Sequence, residues 1–286
     1  MAMLSIATSL VTLGLKFGAY LLTGSVSLWS DAMEALVNLA AGAVALGALT
    51  IASRPADEKH RYGHDKAEYF SSGVEGALIL VAAVAIVYAA LRRMHDPQPL
   101  AALGTGIAIA LLAAGMNYAT ARVMLRVARS HDSIAIEADA RDLLSDVWTT
   151  VGVVSGLTVV MFVPAWSILD PLLAIAVAAY IVHTGFDSLK RSADGLMDAA
   201  LPPREVQDAE KIIRDALPPD TSFHALRTRK AGPQRFLEFH LLVPGATRVA
   251  DAHALCDRIE VALTEQLPRS RVTIHIEPSE TQPEHS

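Results

Sequence analysis

One cysteine among 286 residues, Cys256, is all the chain has. That excludes a disulfide framework and any cysteine-based zinc cluster, so a metal site here must draw on His, Asp, Glu or Asn. Positive charge is not in excess either. A formal net charge of −6 gives no electrostatic footing for nucleic acid. No nucleophile–base pair and no phosphate-binding loop stands out, which argues against hydrolytic chemistry and an ATP-driven pump. The N-terminus runs almost directly into an apolar segment without a basic leader or a small-residue cleavage site. This predicts a retained first span rather than a removed signal peptide.

What the chain has is apolar surface. With 52% hydrophobic residues and a mean hydropathy of +0.35, part of it reads as membrane and part does not. Six apolar runs, Leu4–Gly24, Ser27–Ser53, Tyr69–Leu91, Leu103–Val127, Ile136–Val163 and Ile168–Leu189, each approach the length a transmembrane helix needs. The loop "SRPADEKHRYGHDKAEY" carries Arg54, Lys59, Arg61 and Lys66, and the stretch around and just after the end of the fourth run carries Arg122, Arg126 and Arg129. Both should face the cytoplasm, whereas the uncharged connections "TGSVS" and "VPAWS" should lie outside, leaving both termini inside. Arg92 and Arg93 run against that pattern, and arginines near a helix end can snorkel to headgroups.

Beyond Arg191 the composition changes. "PPREVQDAEKIIRDAL" and "VADAHALCDRIEVALTEQL" read as amphipathic helices, and "SFHALRTRKAG", "QRFLEFHLLVPG" and "SRVTIHIEP" alternate as strands. The expected architecture is a membrane all-α six-helix bundle over residues 1–192, then a C-terminal αββαβ domain of α+β class over 203–279. A disordered tail is expected at 280–286.

Polar residues inside the apolar runs carry the functional signal. The stretch "SDAMEALVN" sets Asp31, Glu34 and Asn38 on one helical stripe, and "EADARDLLSDVWTT" repeats the device with Asp142 and Asp146 at i, i+4. A carboxylate at mid-membrane costs about 2.5–3.5 kcal/mol on insertion scales. Lys16 is the only lysine inside any of the six runs. A divalent cation held by Glu34, Asn38, Asp142 and Asp146 would offset all of these groups at once. For Asp31 and Asn38 taken alone, hydrogen bonding across closely packed helices is an equal reading, since "AAGAVALGA" permits close approach. Glu75 and Asn117 read as structural or water-facing.

Histidines cluster outside the runs. Asp57, His60 and His64 follow a D-x-x-H-x-x-x-H pattern that fits zinc or a similar ion, with a solvated basic loop as the other reading. In the C-terminal domain His224, His240 and His275 fall on predicted strands, Glu277 shares a face with His275, and His253 lies on the second helix. Together they suggest a second metal cluster.

These motifs, with "HRYGHDKAEYFSS", "LMDAALP" and "LRTRKAGPQRFLEFHL", resemble the cation diffusion facilitators over nearly the whole chain. The resemblance implies six spans, a ferredoxin-like, metallochaperone-like cytoplasmic domain, a homodimer in the bacterial inner membrane, and proton-coupled export of divalent cations. It implies a transport site at Glu34, Asn38, Asp142 and Asp146, a loop site at Asp57, His60 and His64, and a binuclear site at His224, His240, His253, His275 and Glu277. It also implies an interlocking salt bridge between Lys66 and Asp198. Zinc-preferring members carry His at the position of Asp142, and Asp or His with Asp at the positions of Glu34 and Asn38. The all-oxygen set here shifts preference toward manganese or ferrous iron, while raw affinity still rises toward zinc. The alternative reading is a membrane-anchored metal sensor or assembly protein that binds metal without moving it.

Overall fold

The computed structural model describes residues 2–131 and 134–279, so the expected tail at 280–286 lies outside the described residues. Six long helices come first: α1 (Ala2–Thr23), α2 (Val26–Ala52), α3 (Ala67–His95), α4 (Leu103–His131), α5 (Ile134–Phe162) and α6 (Leu169–Leu196). All six are long and apolar enough to cross a membrane. Then follow α7 (Pro203–Ala216), β1 (Ser222–Ala231), β2 (Gln234–Val243), α8 (Val249–Gln266) and β3 (Ser270–Pro278), the αββαβ order the periodicities predict. The chain divides into two compact units, Met1–Gly47 with Ser71–Lys190, and Ala48–Phe70 with Arg191–Ser286.

In the helical unit burial is inverted relative to a water-soluble protein. Large apolar side chains such as Leu21, Val84, Trp148 and Phe162 point outward, while Thr12, Lys16, Asp31, Asn117 and Asp170 are buried. Lipid tails are as apolar as leucine, so such helices gain little by hiding aliphatic surface and associate through small-residue packing and interhelical hydrogen bonds. One apolar cluster joins α2, α3 and α6 through Val37, Ile79, Ile86, Ala174 and Ala178. Another joins α1, α2, α4 and α5 through Ala19, Leu28, Ala110, Val153 and Leu157.

Glycine sets the distance between α3 and α6. A Cβ on Gly76 would stand 2.7 Å from the carbonyl oxygen of Gly185, so these backbones touch where no other residue fits. At the start of α2 the orphan helix N–H groups have a partner from elsewhere in the chain. The fully buried Asp170, in the first turn of α6, accepts from Val26 N at 2.9 Å and Ser27 N at 3.0 Å. Ser25 and Ser27 donate their hydroxyls to it at 2.6 Å each.

In the second unit the sheet order is β1-β2-β3, with β1 antiparallel and β2 parallel to β3. Parallel pairing requires a crossover, and α8 supplies it. Strand alternation sends Leu237, Phe239 and Leu241 of β2 into a core with Ile213 of α7 and Ile259 and Leu263 of α8. The opposite parity, which includes His240, lies on the other face of the sheet.

Candidate metal sites

The cluster among the spans is built from three helices. On α2, Asp31 and Glu34 are buried, and one turn further Asn38 is exposed. On α5, Asp146 and Thr150 are buried, and one turn earlier Asp142 is exposed. Asn38 Nδ2 donates to Asp146 Oδ1 at 3.2 Å, so the two helices meet at the residues the sequence pattern selects. Glu34 is buried and its Oε2 has no hydrogen-bond partner, an acceptor left open in a desolvated setting. Burial therefore grades along both helices: closed at Glu34 and Asp146, open at Asn38 and Asp142.

Asp31 belongs to a different arrangement. Lys16, on the stripe Ser5, Thr8, Thr12, Lys16 of α1, donates from Nζ to Asp31 Oδ1 at 2.9 Å and stands 3.8 Å from Asp146 Oδ2. Thr150 Oγ1 lies 2.9 and 3.1 Å from the two Asp31 oxygens. The sequence alone offers Lys16 as the one lysine within the spans available to offset the carboxylates, without placing it against any of them. The i, i+3, i+4 spacing of buried polar residues on α1 is the signal that points it inward. Asn117 is buried on α4, and neither amide atom has a hydrogen-bond partner among the described residues.

In the loop between α2 and α3 the motif closes on itself. Asp57 Oδ1 accepts from the backbone N–H of His60 at 2.6 Å and of Lys59 at 2.9 Å, the local bonding by which Asp makes turns. These backbone donors, His60 first, hold the Asp57 carboxyl below its ordinary range. His60 Nδ1 is 3.2 Å from Asp57 Oδ1, and His64 Nε2 is 3.4 Å from Asp57 Oδ2. Gly63, at φ +93°, allows the turn that brings the two rings to 4.5 Å. One donor atom from each residue lies within 4.8 Å of the others, and His64 Nδ1 is buried without a hydrogen-bond partner. The three residues fit a metal ion.

The C-terminal cluster follows from strand register. His224 pairs with His240 across β1 and β2, and His240 pairs with His275 across β2 and β3, so three histidines form one row. Just beyond His224 a bulge with Ala225 at φ +52° shifts the register. Glu277, two residues beyond His275 on the same face, reaches His224 Nε2 at 3.1 Å, His240 Nδ1 at 3.0 Å and His275 Nε2 at 3.6 Å. The His224 hydrogen bond, aided by the neighbouring imidazoles, lowers the Glu277 carboxyl below its ordinary range. Its 3.0 Å approach to His240 Nδ1 is not aligned as a hydrogen bond, leaving that buried nitrogen open for a ligand bond. His224, His240 and Glu277 offer donor atoms within 4.8 Å of one another, a set that suits zinc. His253 is not in that group; on α8 it faces Asp257 at 3.8 Å. Lys66 and Asp198 pair at 2.8 Å, and Arg229 adds a second donor to Asp198 at 3.3 Å. The Lys66 hydrogen bond, with both cationic charges, lowers the Asp198 carboxyl.

Residues 2–197 match the family profile described as the cation efflux transmembrane domain, and residues 201–279 match the cation efflux protein cytoplasmic domain. The chain belongs to the cation diffusion facilitator family. It is an integral membrane protein of a transporter family rather than an enzyme. An uncharacterized transporter of Synechocystis sp., sll1263, is 47% identical over 279 residues, 98% of this chain and 90% of that protein. The cation-efflux pump FieF of Klebsiella pneumoniae is 31% identical over 269 residues, 94% of this chain and 89% of that one. A solved structure of CzrB in its zinc form is 42% identical, covers 29% of this chain and 96% of that chain, and has a TM-score of 0.28.

Proposed function

We propose that this facilitator exports divalent transition-metal cations, of the iron, manganese and zinc class, from the cytoplasm by proton antiport with alternating access. Residues 1–192 carry the ion through a site at Glu34, Asn38, Asp142 and Asp146. Residues 203–279 bind metal at His224, His240, His275 and Glu277, with His253 contributing, and join two copies into a homodimer with Lys66–Asp198 at the membrane surface. Asp57, His60 and His64 hold a further ion in the loop. The chain resides in a bacterial inner membrane with both termini in the cytoplasm, consistent with the basic loop at 54–66.

The observation that carries this reading is a pair of buried carboxylates on two helices, Glu34 with an open oxygen and Asp146 bonded to Asn38. Buried ionisable groups inside spans mark ion pathways more often than packing contacts. An all-oxygen set favours a hard divalent ion. A carboxylate must also be deprotonated to bind a cation, so ion and proton compete for the same atoms. With the chain oriented as proposed, the exposed ends at Asn38 and Asp142 face the cytoplasm, so the structure would be loaded from that side.

Flux in proteoliposomes under a set pH gradient is the test. Wild type should move metal against the proton gradient, and Asp146→Ala should abolish flux while the protein remains folded and dimeric. Wild-type flux from Asp146→Ala would overturn the site, and flux indifferent to the gradient would overturn antiport. The sensor reading draws on the two metal-competent clusters lying outside the spans. It predicts metal binding with no flux in the same vesicles.

A further inference from the structure

We infer that Lys16 sets the affinity of the transport site, as a tethered cation that holds Asp31 out of the metal's coordination shell. The inference rests on the reading of Glu34 and Asp146 as transport ligands. Three carboxylates, Asp31, Glu34 and Asp146, are buried together with one ammonium. With Asp31 free, a fourth anion would join Glu34, Asp142 and Asp146 around one divalent ion, binding it more tightly and releasing it more slowly. The structure divides the three buried carboxylates unequally.

Asp31 is satisfied without metal. Its Oδ1 takes the Lys16 ammonium at 2.9 Å, and the Thr150 hydroxyl lies within hydrogen-bond reach of both its oxygens. Lys16 and Asp31 are each only 1% exposed, so water does not compete for either partner. Glu34 keeps one oxygen without a partner, and Asp146 receives one amide hydrogen from Asn38 and stands 3.8 Å from the ammonium. The Lys16–Asp31 pair is neutral, so Asp31 adds no net charge to the carboxylates of Glu34, Asp142 and Asp146 that the ion meets. Lys16 is positioned to swing between Asp31 and Asp146, so the partner it takes decides which carboxylates the ion meets.

The test is a four-member set in proteoliposomes at one pH with manganese or zinc as the ion: wild type, Lys16→Met, Asp31→Asn and the double variant. Lys16→Met removes a repelling charge and unmasks Asp31, so KM should fall by about tenfold or more and kcat should fall with slowed release. Asp31→Asn leaves the ammonium to Asp146 alone, so KM should rise by about tenfold. The double variant removes a neutral pair and should return within about threefold of wild-type KM. Packing alone does not produce opposite KM shifts that cancel.

A KM for Lys16→Met that is unchanged or raised would overturn the inference. So would a double variant that keeps the tight KM of the single one. Should Lys16→Met fail to fold with Asp31 left unpaired, Asp31→Asn and the double variant decide alone: an unchanged KM in the first, or a departure of more than about threefold from wild type in the second, refutes the mechanism. Asp146→Ala run alongside separates the two levels. Flux retained there refutes the transport site itself. Flux lost there, with KM flat across the Lys16 set, refutes only the role of Lys16.

Discussion

Gly76→Ala and Gly115→Ala are the same chemical change on two spans, and the structure predicts opposite signs. At Gly76 the new Cβ would sit 2.7 Å from the Gly185 carbonyl oxygen and 2.8 Å from Leu189 Cγ. Backbone cannot rotate away as a side chain end can, so α6 must retreat by roughly 0.5–1 Å to restore van der Waals distance. Overpacking of this kind costs about 1–3 kcal/mol, against which the better helix propensity of alanine returns at most about 1 kcal/mol. At Gly115 a Cβ would meet nothing within 4 Å, leaving only the propensity gain. Reversible unfolding in mixed micelles should therefore show Gly76→Ala destabilised by about 1–2 kcal/mol and Gly115→Ala stabilised by up to about 1 kcal/mol. Equal shifts for the two variants, or a Gly76→Ala protein at least as stable as wild type, would refute the contact as the determinant.

Three further outcomes follow from the sites. Asp142→His exchanges a hard oxygen for imidazole nitrogen and should raise the zinc-to-manganese transport ratio by about threefold or more; an unchanged ratio in parallel flux assays would place selection elsewhere. Glu277→Gln should weaken metal binding at the histidine row by about tenfold or more by removing its one anionic ligand, which calorimetry on the full chain would detect, and wild-type affinity would refute that ligand set. Asp198 is lowered by its Lys66 hydrogen bond, so its contribution is complete above the unfolded carboxyl value of about 4 and is lost as pH falls through the lower folded value. Amide exchange around residues 60–70 should hold steady down to about pH 5 and loosen only below about pH 4; loosening at pH 6 would contradict the pairing as its cause.

The six spans and the αββαβ order were legible because each rests on a local periodicity, a long apolar run or a short alternation. The clustering of Asp57, His60 and His64 was also legible, because the spacing is local and the three close on one another through a single turn. The histidine row was legible only in outline. His224, His240 and His275 sit on strands by pattern, but that they stand side by side depends on register, which hydrogen bonding between strands decides. Asp142 illustrates the other limit. Its i, i+4 relation to Asp146 is real, yet four residues advance about 40° past a full turn, and here that carries Asp142 to an exposed position while Asp146 is buried. The pairing of Lys16 with Asp31 was hidden because it joins two spans that each look complete by hydropathy.

The capping of α2 by Asp170 has a mechanical consequence. Hydrogen bonds from Val26, Ser27 and the two serine hydroxyls pin the first turn of α2 to the first turn of α6. A pinned helix moves as a lever. Glu34 lies seven residues from Ser27, about 10 Å along the axis, and Gly47 lies about 30 Å away at 1.5 Å per residue. A tilt of about 10° around the pin displaces Glu34 by only about 2 Å and Gly47 by about 5 Å. Under the proposed transport reading, Glu34 would stay nearly in place while the distant end swings wide, so its carboxylate would keep its reach to an ion during a motion large enough to open or shut one mouth of the bundle.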